Sequence, residues 1–104
     1  MTEWTVDVTN SAYADLREAA LYMHDVLGSP KAAGDFVTAF ESQVEALRTF
    51  PEGRPPVRDY ELAKRGYRWC PLGNFMMFYT VDRKRLRVTV ERVLYGTQDW
   101  KSLV

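Results

Sequence analysis

The sequence is organised by one stretch, YRWCPLGNFMMFYTV, which spans residues 67–81. Its aromatic and β-branched residues are typical of strands, and the Gly73-Asn74 pair at its centre is typical of a two-residue hairpin turn. We therefore expect antiparallel strands at residues 67–72 and 75–81. Because Pro71 has no amide proton, the first of these strands should lie at a sheet edge or contain a bulge.

A third strand is predicted at residues 86–95, after a basic turn at residues 82–85. In a regular strand Val90 and Arg92 would point to one face of the sheet, whereas the apolar Val93 would point to the other. This change of parity indicates a β-bulge. The three strands together form an antiparallel meander.

The half of the chain before this meander predicts one strand and two helices. Residues 4–9 alternate between apolar and polar side chains, as a half-buried strand does. Thr9 or Asn10 can cap a helix whose apolar side chains recur every three or four residues. The sequence Gly28-Ser29-Pro30 ends that helix and begins a second one, which runs to Leu47.

Two segments remain. Residues 51–66 contain three prolines and no periodicity, so we expect a long loop there and no helix. Near the C-terminus, Thr97 can cap a last helical turn that carries Trp100. The predicted class is α+β with the order βααβββ(α): a helical hairpin packs on one face of a small, mainly antiparallel sheet, in a single domain of residues 1–104.

Composition narrows the class of protein. The chain has 104 residues, of which 46% are hydrophobic and 27% charged, values typical of a globular domain. No apolar run approaches the roughly 20 residues that span a bilayer, and the N-terminus lacks the pattern of a secretory signal, so a cytoplasmic location is expected. One cysteine and one histidine exclude an internal disulfide and a Cys/His zinc cage, and no metal or cofactor is expected.

The charges are sorted along the chain, although the formal net charge is zero. Residues 1–53 carry three basic and nine acidic side chains, a net charge of −6, and residues 54–104 carry eleven basic and five acidic ones, a net charge of +6. If each half forms one layer, the molecule has an acidic and a basic face. The basic face would attract a polyanion or an acidic partner segment.

Common catalytic motifs are absent from the sequence: it contains no dinucleotide or phosphate loop, no nucleophile elbow and no HExxH zinc motif. His24 is expected on the surface of the first helix. Cys70 lies inside a strand without a basic neighbour and is not expected to be a nucleophile.

The order and spacing of several short segments resemble toxins of the RelE/ParE superfamily of type II toxin–antitoxin modules. The segments that carry the resemblance are Ala14-Asp15-Leu16, Tyr22, Leu27-Gly28-Ser29-Pro30-Lys31-Ala32-Ala33, Phe36, Phe50-Pro51-Glu52-Gly53-Arg54-Pro55, Gly66-Tyr67-Arg68, Asn74-Phe75-Met76-Met77-Phe78-Tyr79 and residues 92–100. The resemblance implies the same βααβββ fold, a toxic activity with roles in growth inhibition and plasmid stabilization, and a cognate antitoxin that neutralises the toxin.

The superfamily contains two activities. RelE-like members cut mRNA on the ribosome with a basic cluster on the open sheet face, and ParE-like members inhibit DNA gyrase. By resemblance, Arg68 retains one basic position of that cluster, whereas Cys70 and Met76 replace two others. Thr97 and Gln98 stand where relatives often carry a basic pair. Because loss of one preorganised donor typically costs about 10²- to 10³-fold in rate, this pattern favours the ParE-like activity.

Strand alternation predicts where these substitutions lie. Cys70 lies on one face of its strand, and Met76 and Phe78 lie on one face of the next. If the two faces coincide, these three residues form the floor of an open groove for an apolar partner segment. In the alternative, Met76 and Phe78 belong to the core. Together with Arg65 and Trp100, the three residues are our predicted contacts with the antitoxin or the target.

Two roles are open for Arg92 and Tyr95, one catalytic and one structural. In a nuclease, Arg92 would hold phosphate and Tyr95 would act as an acid or base, so the catalytic residues would be Arg68, Arg92 and Tyr95. In the structural reading, which we favour, Arg92 pairs with an acid such as Asp99 and Tyr95 packs with Trp100. The cluster of residues 83–87 is expected to be a solvated hairpin tip, with contact to nucleic acid as the alternative.

Three hypotheses follow for function. The leading one is a ParE-like toxin that binds DNA gyrase and is neutralised by an antitoxin. The alternative is a metal-independent, ribosome-dependent mRNA endonuclease. The third is a member of the superfamily that binds an antitoxin and has no toxicity.

Overall fold

The computed structural model describes residues 3–96 and 98–104, which form a sheet with helices on both faces. The strands are β1 (Thr5–Val8), β2 (Tyr67–Leu72), β3 (Phe75–Asp82) and β4 (Arg87–Tyr95). The helices are α1 (Asn10–Leu21), α2 (Pro30–Leu47), α3 (Tyr60–Lys64) and α4 (Trp100–Leu103). The α+β class and the predicted element order are therefore confirmed, with α3 as an addition.

The predicted caps begin both long helices. Thr9 Oγ1 accepts the Ala12 amide at 3.0 Å, and Ser29 Oγ accepts the Ala32 amide at 3.1 Å. Pro30 occupies the first turn of α2, where an amide proton has no partner within the helix. One π-helical turn, Tyr22–Val26, continues α1 to the bend at Gly28, whose φ is +66°.

The absence of a helix from residues 51–66 is a wrong prediction. Asp59 accepts the Leu62 amide at 3.1 Å and so caps the five-residue helix α3. The buried side chain of Leu62 holds this helix against the sheet. A single apolar turn is too short to show periodicity, which is why the sequence did not reveal it.

The sheet has the strand order β1-β4-β3-β2, in which β1 is parallel to β4 and the other pairs are antiparallel. β2 is an edge strand, as Pro71 requires. The predicted bulge is present, because Tyr79 pairs with Val90 while Phe78 pairs with Arg92, which leaves Glu91 as the extra residue.

The main core lies between the sheet and the helical hairpin of α1 and α2. Among its fully buried side chains are Tyr79, Val88 and Val90, and Phe36 and Phe40 of α2 cover them. A smaller cluster, the far-face cluster, lies on the other side of the sheet and consists of Val57, Leu62, Tyr67, Phe78 and Leu94. The helical hairpin thus shields one face, and α3 and α4 cover part of the other.

No helix within the described residues is long and apolar enough to cross a lipid bilayer. The predicted capping role of Thr97 lies outside the described residues. Helix α4 follows Asp99, whose carbonyl and carboxylate both accept the Ser102 hydroxyl.

Candidate functional site

Arg68 lies on β2, on the same face as Cys70 and near the outer edge of the sheet. Its guanidinium donates to the backbone carbonyl of Arg54, and an isolated bridge joins its backbone to Pro56. Arg68 therefore fastens the segment before α3 to the edge strand.

Arg92 forms a two-point ion pair with Asp15 of α1. Its Nε lies 2.7 Å from Asp15 Oδ2 and its Nη2 lies 2.9 Å from Asp15 Oδ1. Its Nη1 donates to the Leu103 carbonyl at 2.7 Å, so the same guanidinium also holds α4. The hydrogen bond with Asp15 raises the pKa of Arg92. The expectation that Arg92 pairs with an acid is confirmed, but the acid is Asp15 and not Asp99, because α1 packs against β4 and brings Asp15 to the guanidinium.

Tyr95 packs against Phe75 in an edge-to-face arrangement, with ring centroids 5.2 Å apart. The expected packing of Tyr95 with Trp100 is wrong. Trp100 instead stacks on Phe78, with a centroid distance of 5.0 Å, because α4 folds back over the far face of the sheet.

The three residues predicted for a nuclease divide into two places. Arg92 and Tyr95 line one cleft of about 500 Å³ between α1 and the end of β4, together with Tyr22 and Gln98. Arg68 lies on the edge strand, with β3 between β2 and β4, and does not line that cleft. The structure thus brings Arg92 and Tyr95 together, but with the charge of Arg92 already matched by Asp15.

The expectation that Cys70 shares a groove floor with Met76 and Phe78 is wrong. The two-residue turn pairs Leu72 with Phe75, so Cys70 pairs with Met77 and lies on the helical face. Met76 and Phe78 lie on the far face. Cys70 has no exposed surface, and burial raises the pKa of its thiol to about 11, although Arg54 acts in the opposite direction.

Phe78 and Met76 do face away from the helical hairpin, but they do not floor an open groove. Phe78 has no exposed surface, because Trp100 stacks on it and the far-face cluster surrounds it. Met76 is half-buried at the border of that cluster. The Lys101 ammonium lies 3.5 Å from the Asp59 carboxylate and so links α4 to the beginning of α3.

Arg65 lines a groove of about 630 Å³ at the other end of the far face. Its guanidinium carbon lies 5.4 Å from the centre of the Tyr67 ring. We name this feature the basic groove; its cations are Arg65, Arg83, Lys84, Arg85 and Arg87. Burial and the Glu91 carboxylate raise the pKa of Tyr67 at the groove floor, while Arg65 lowers it.

Carboxylates partner some of these cations. Arg87 Nη1 lies 2.7 Å from Asp7 Oδ2, and Arg85 Nε lies 3.8 Å from Asp82 Oδ2. Arg83 pairs with Glu52 at the end of the segment that follows α2. Within the groove, the Thr80 hydroxyl donates to Glu91 at 2.8 Å.

A second surface, which the sequence analysis missed, lies on the helical hairpin. Exposed apolar side chains lie in and next to the π-helical turn, namely Leu21, Tyr22, Val26 and Leu27, and the exposed Tyr13 lies farther back on α1. Beside them an apolar groove of about 620 Å³ runs between α1 and α2 and is lined by Leu16, Ala20, Leu21, Ala33 and Val37. Leu27 follows Met23 by four residues and was expected on the buried stripe of the first helix, but it is exposed after the π-helical turn, which the spacing of apolar residues does not reveal.

Within residues 3–96 and 98–104, no three His, Cys, Asp or Glu side chains lie close enough together to hold a metal ion.

Comparisons with solved structures identify the same fold. The chain is similar to a chromosomal ParDE toxin–antitoxin system from P. aeruginosa, with a TM-score of 0.70, 21% identity and coverage of 91% of this chain and 98% of that one. It is also similar to the RelBE2 toxin–antitoxin complex of Mycobacterium tuberculosis, with a TM-score of 0.62, 20% identity and coverage of 89% and 98%. For the archaeal RelE–RelB complex of Pyrococcus horikoshii, the TM-score is 0.62, the identity 15% and the coverage 94% and 99%.

No curated protein sequence is significantly similar to the chain. Residues 6–100, however, match the family model described as "ParE toxin of type II toxin-antitoxin system, parDE". This match includes β1 from its second residue, the helical hairpin and the whole meander. The chain therefore belongs to the ParE toxin family of type II toxin–antitoxin systems.

Proposed function

We propose that this toxin acts by binding DNA gyrase, without catalysis of its own, and that a cognate antitoxin neutralises it. The observation that carries the proposal is the state of the two arginines that a nuclease would use. Arg92 is held by Asp15 and by the Leu103 carbonyl, and Arg68 is held by the Arg54 carbonyl.

Metal-independent cleavage of RNA needs cations that point at the phosphate as its charge develops. A guanidinium that already has a carboxylate partner adds little to that stabilisation, because its charge is matched. Arg68 and Arg92 also lie in different places, so they do not converge on one phosphate. Tyr95 is left in the cleft with no free cation beside it among the residues that line the cleft.

The experiment is a gyrase assay with relaxed plasmid, ATP and purified toxin. We expect supercoiling to fall, and cleavage complexes to accumulate, at micromolar toxin. Plasmid relaxation by a type I topoisomerase is the control and should not change. Full supercoiling activity at saturating toxin would contradict the proposal.

The endonuclease alternative is tested in parallel in a translation extract, with primer extension on a reporter mRNA. We expect no cleavage phased with codons. Cuts that appear with wild-type toxin and are lost with Arg68→Ala would instead support the mRNA endonuclease. Growth arrest after induced expression is expected for either activity and would exclude the non-toxic hypothesis.

We place the apolar part of the antitoxin contact on the hairpin surface around the π-helical turn. Val26 is 67% exposed and Leu27 is 59% exposed, and a patch of this kind on a small protein is typical of a partner surface. A partner helix that lays its own apolar face on this patch would bury it. Arg65, Met76 and Trp100 remain proposed contacts for a further segment of the antitoxin, whereas Cys70 and Phe78 have no surface with which to touch one.

Co-purification with the protein encoded next to the toxin tests this contact. Val26→Asp should weaken the complex at least ten-fold, because it places a charge inside an apolar interface. Thr38→Asp, at an exposed position of α2, is the matched control and should bind as wild type does. Equal binding by both variants would contradict the hairpin contact.

A further inference from the structure

The described residues divide their charges between two sides of the sheet. The helical hairpin exposes acidic side chains, among them Glu18, Asp25, Asp35, Glu41 and Glu45. The basic groove lies on the opposite face of the sheet. The chain has no net charge, so this separation gives the molecule a dipole moment. The positive end of the dipole, at the basic groove, would face a polyanion.

The backbone sets the width of the basic groove. Asp82 on β3 pairs with Arg87 on β4, and Tyr67 on β2 pairs with Thr80 on β3. Because β3 separates β2 from β4, these outer strands lie about 10 Å apart. Arg65 and Arg87 thus come from opposite walls of the groove.

Gly66 brings the Arg65 wall close to β3. Its φ of +86° is accessible to glycine, and a Cβ at this position would lie 3.3 Å from the Val81 carbonyl. The chain therefore turns tightly just before β2, beside the strand that leads to the hairpin of Lys84.

The charge of the groove is not fully matched. Its lining contains five cations and two carboxylates, Asp82 and Glu91. In the part of the chain that the structure describes, neither Arg65 nor Lys84 lies within 4.0 Å of a carboxylate oxygen. Two cations are therefore available to a ligand.

The lining of the groove favours a phosphodiester backbone over an acidic peptide. The lining includes the Thr89 hydroxyl and two apolar side chains, Tyr67 and Val81, and the other members of the far-face cluster do not line the groove. Peptide docking draws most of its energy from apolar side chains seated in pockets. Contacts with DNA phosphates come mainly from arginine, lysine and hydroxyl groups, and a repeating anion can meet cations on both walls.

We propose that the basic groove contacts the phosphate backbone of duplex DNA while the toxin is engaged with gyrase. This inference rests on the proposed function, since a gyrase inhibitor works next to duplex DNA. The groove adds affinity that depends on salt and not on base sequence, and Arg65 and Lys84 are its principal contacts.

Fluorescence anisotropy with a labelled 25-base-pair duplex tests the contact without gyrase. We expect wild-type affinity to fall about 12-fold between 50 and 200 mM salt, as two phosphate contacts require. The variant Arg65→Gln/Lys84→Gln should bind at least ten-fold more weakly at 50 mM salt, with a salt slope lower by about 2. Arg17→Gln/Lys31→Gln, on the helical hairpin, changes the net charge equally and should bind within two-fold of wild type.

Equal weakening by both double variants, or no duplex binding at 50 mM salt, would overturn the inference. So would tighter binding of a labelled 25-nucleotide RNA or of a glutamate-rich peptide in the same assay. Thermal unfolding of both double variants checks that they remain folded, which is expected because their substituted side chains are exposed. In the gyrase assay, the DNA contact is supported if Arg65→Gln/Lys84→Gln loses inhibition while wild type and Arg17→Gln/Lys31→Gln retain it. If the wild-type toxin does not inhibit gyrase, that result counts against the proposed function and not against the DNA contact.

Discussion

Arg92 and Asp15, which lie 77 positions apart in the chain, form a two-point ion pair that joins α1 to the end of β4. β1 pairs with β4 only as far as Val90, and beyond it the Val93 amide donates to Asp15 Oδ2 at 2.9 Å. One carboxylate thus completes the edge of β4 and matches the charge of Arg92. Because Arg92 also holds the Leu103 carbonyl, α1, β4 and α4 meet at this guanidinium.

Asp15→Ala should lower the free energy of unfolding by about 2–3 kcal/mol. The substitution leaves the partly buried guanidinium without a counter-charge and the Val93 amide without an acceptor. Urea denaturation followed by circular dichroism measures the change. Asp35→Ala, which breaks the exposed pair with Lys31, is the control and should cost less than about 0.5 kcal/mol. Similar losses in both variants would contradict the structural importance of the Arg92 pair.

Trp100→Ala should uncover Phe78. We expect increased binding of the dye ANS and a loss of stability of about 2–3 kcal/mol, because a stacked ring pair and its apolar contact are removed. Lys101→Ala removes an ion pair with Asp59 and a contact of the ammonium with the Trp100 ring at 6.0 Å, both weak at the surface, and should leave both measurements nearly unchanged. Unchanged dye binding in Trp100→Ala would mean that α4 does not shield Phe78 in solution.

The Cys70 thiol should be unreactive in the folded protein. Its pKa is about 11 and it has no exposed surface, so at pH 8 it is a protected thiol and not a thiolate. Mass spectrometry after iodoacetamide treatment should show negligible labelling, and complete labelling in guanidinium chloride. Because Cys70 is the only cysteine, the mass change reports one site. Rapid labelling without denaturant would contradict the buried position.

Stability should fall at alkaline pH. Burial raises the pKa of Tyr79 to about 12, above its unfolded value near 10, so the unfolded chain loses this proton first and stability decreases between about pH 10 and 12. Cys70 contributes in the same direction from about pH 9 to 11. In Tyr79→Phe, chemical denaturation across this range should show a shallower decline. Its stability at pH 7 should also be lower by about 1–2 kcal/mol, since the Pro51 carbonyl loses a buried donor at 2.8 Å.

Two glycines should respond in opposite directions to alanine. Gly66 has a φ of +86° and little space beside the Val81 carbonyl, so Gly66→Ala should cost about 1–2 kcal/mol. Gly34 lies inside α2 with nothing within 4 Å of an added Cβ, so Gly34→Ala should stabilise the protein by about 0.5–1 kcal/mol. Midpoints of thermal unfolding would reveal these opposite signs, and shifts of the same sign would contradict the assigned backbone conformations.

Most of the fold was predictable from local patterns. Thr9 and Ser29 cap their helices as expected, Pro71 lies on an edge strand, and the change of parity between Val90 and Val93 reflects a real bulge, at Glu91. Helix α3 was missed because one turn provides no period to detect.

The surfaces were less predictable. Cys70 was expected on the same face as Met76. The pairing of Leu72 with Phe75 across the turn instead places Cys70 opposite Met77, on the helical face. The covering of Phe78 by Trp100 was not foreseen either, since it depends on where α4 comes to rest. The charge asymmetry did indicate a basic surface, but the pairing of strands was needed to place Arg65 and Arg87 on two walls of one groove.

Nearest-neighbour chemistry was therefore enough to identify the four strands, the two long helices and the last helical turn, but not α3 or the π-helical turn, because capping, periodicity and proline geometry act within a few residues. Strand register and helix docking assign side chains to faces and charges to partners through contacts between residues far apart in the chain. The ion pair of Asp15 with Arg92, and the position of Cys70 and Met76 on opposite faces of the sheet, depend on these long-range contacts. No local pattern contains that information.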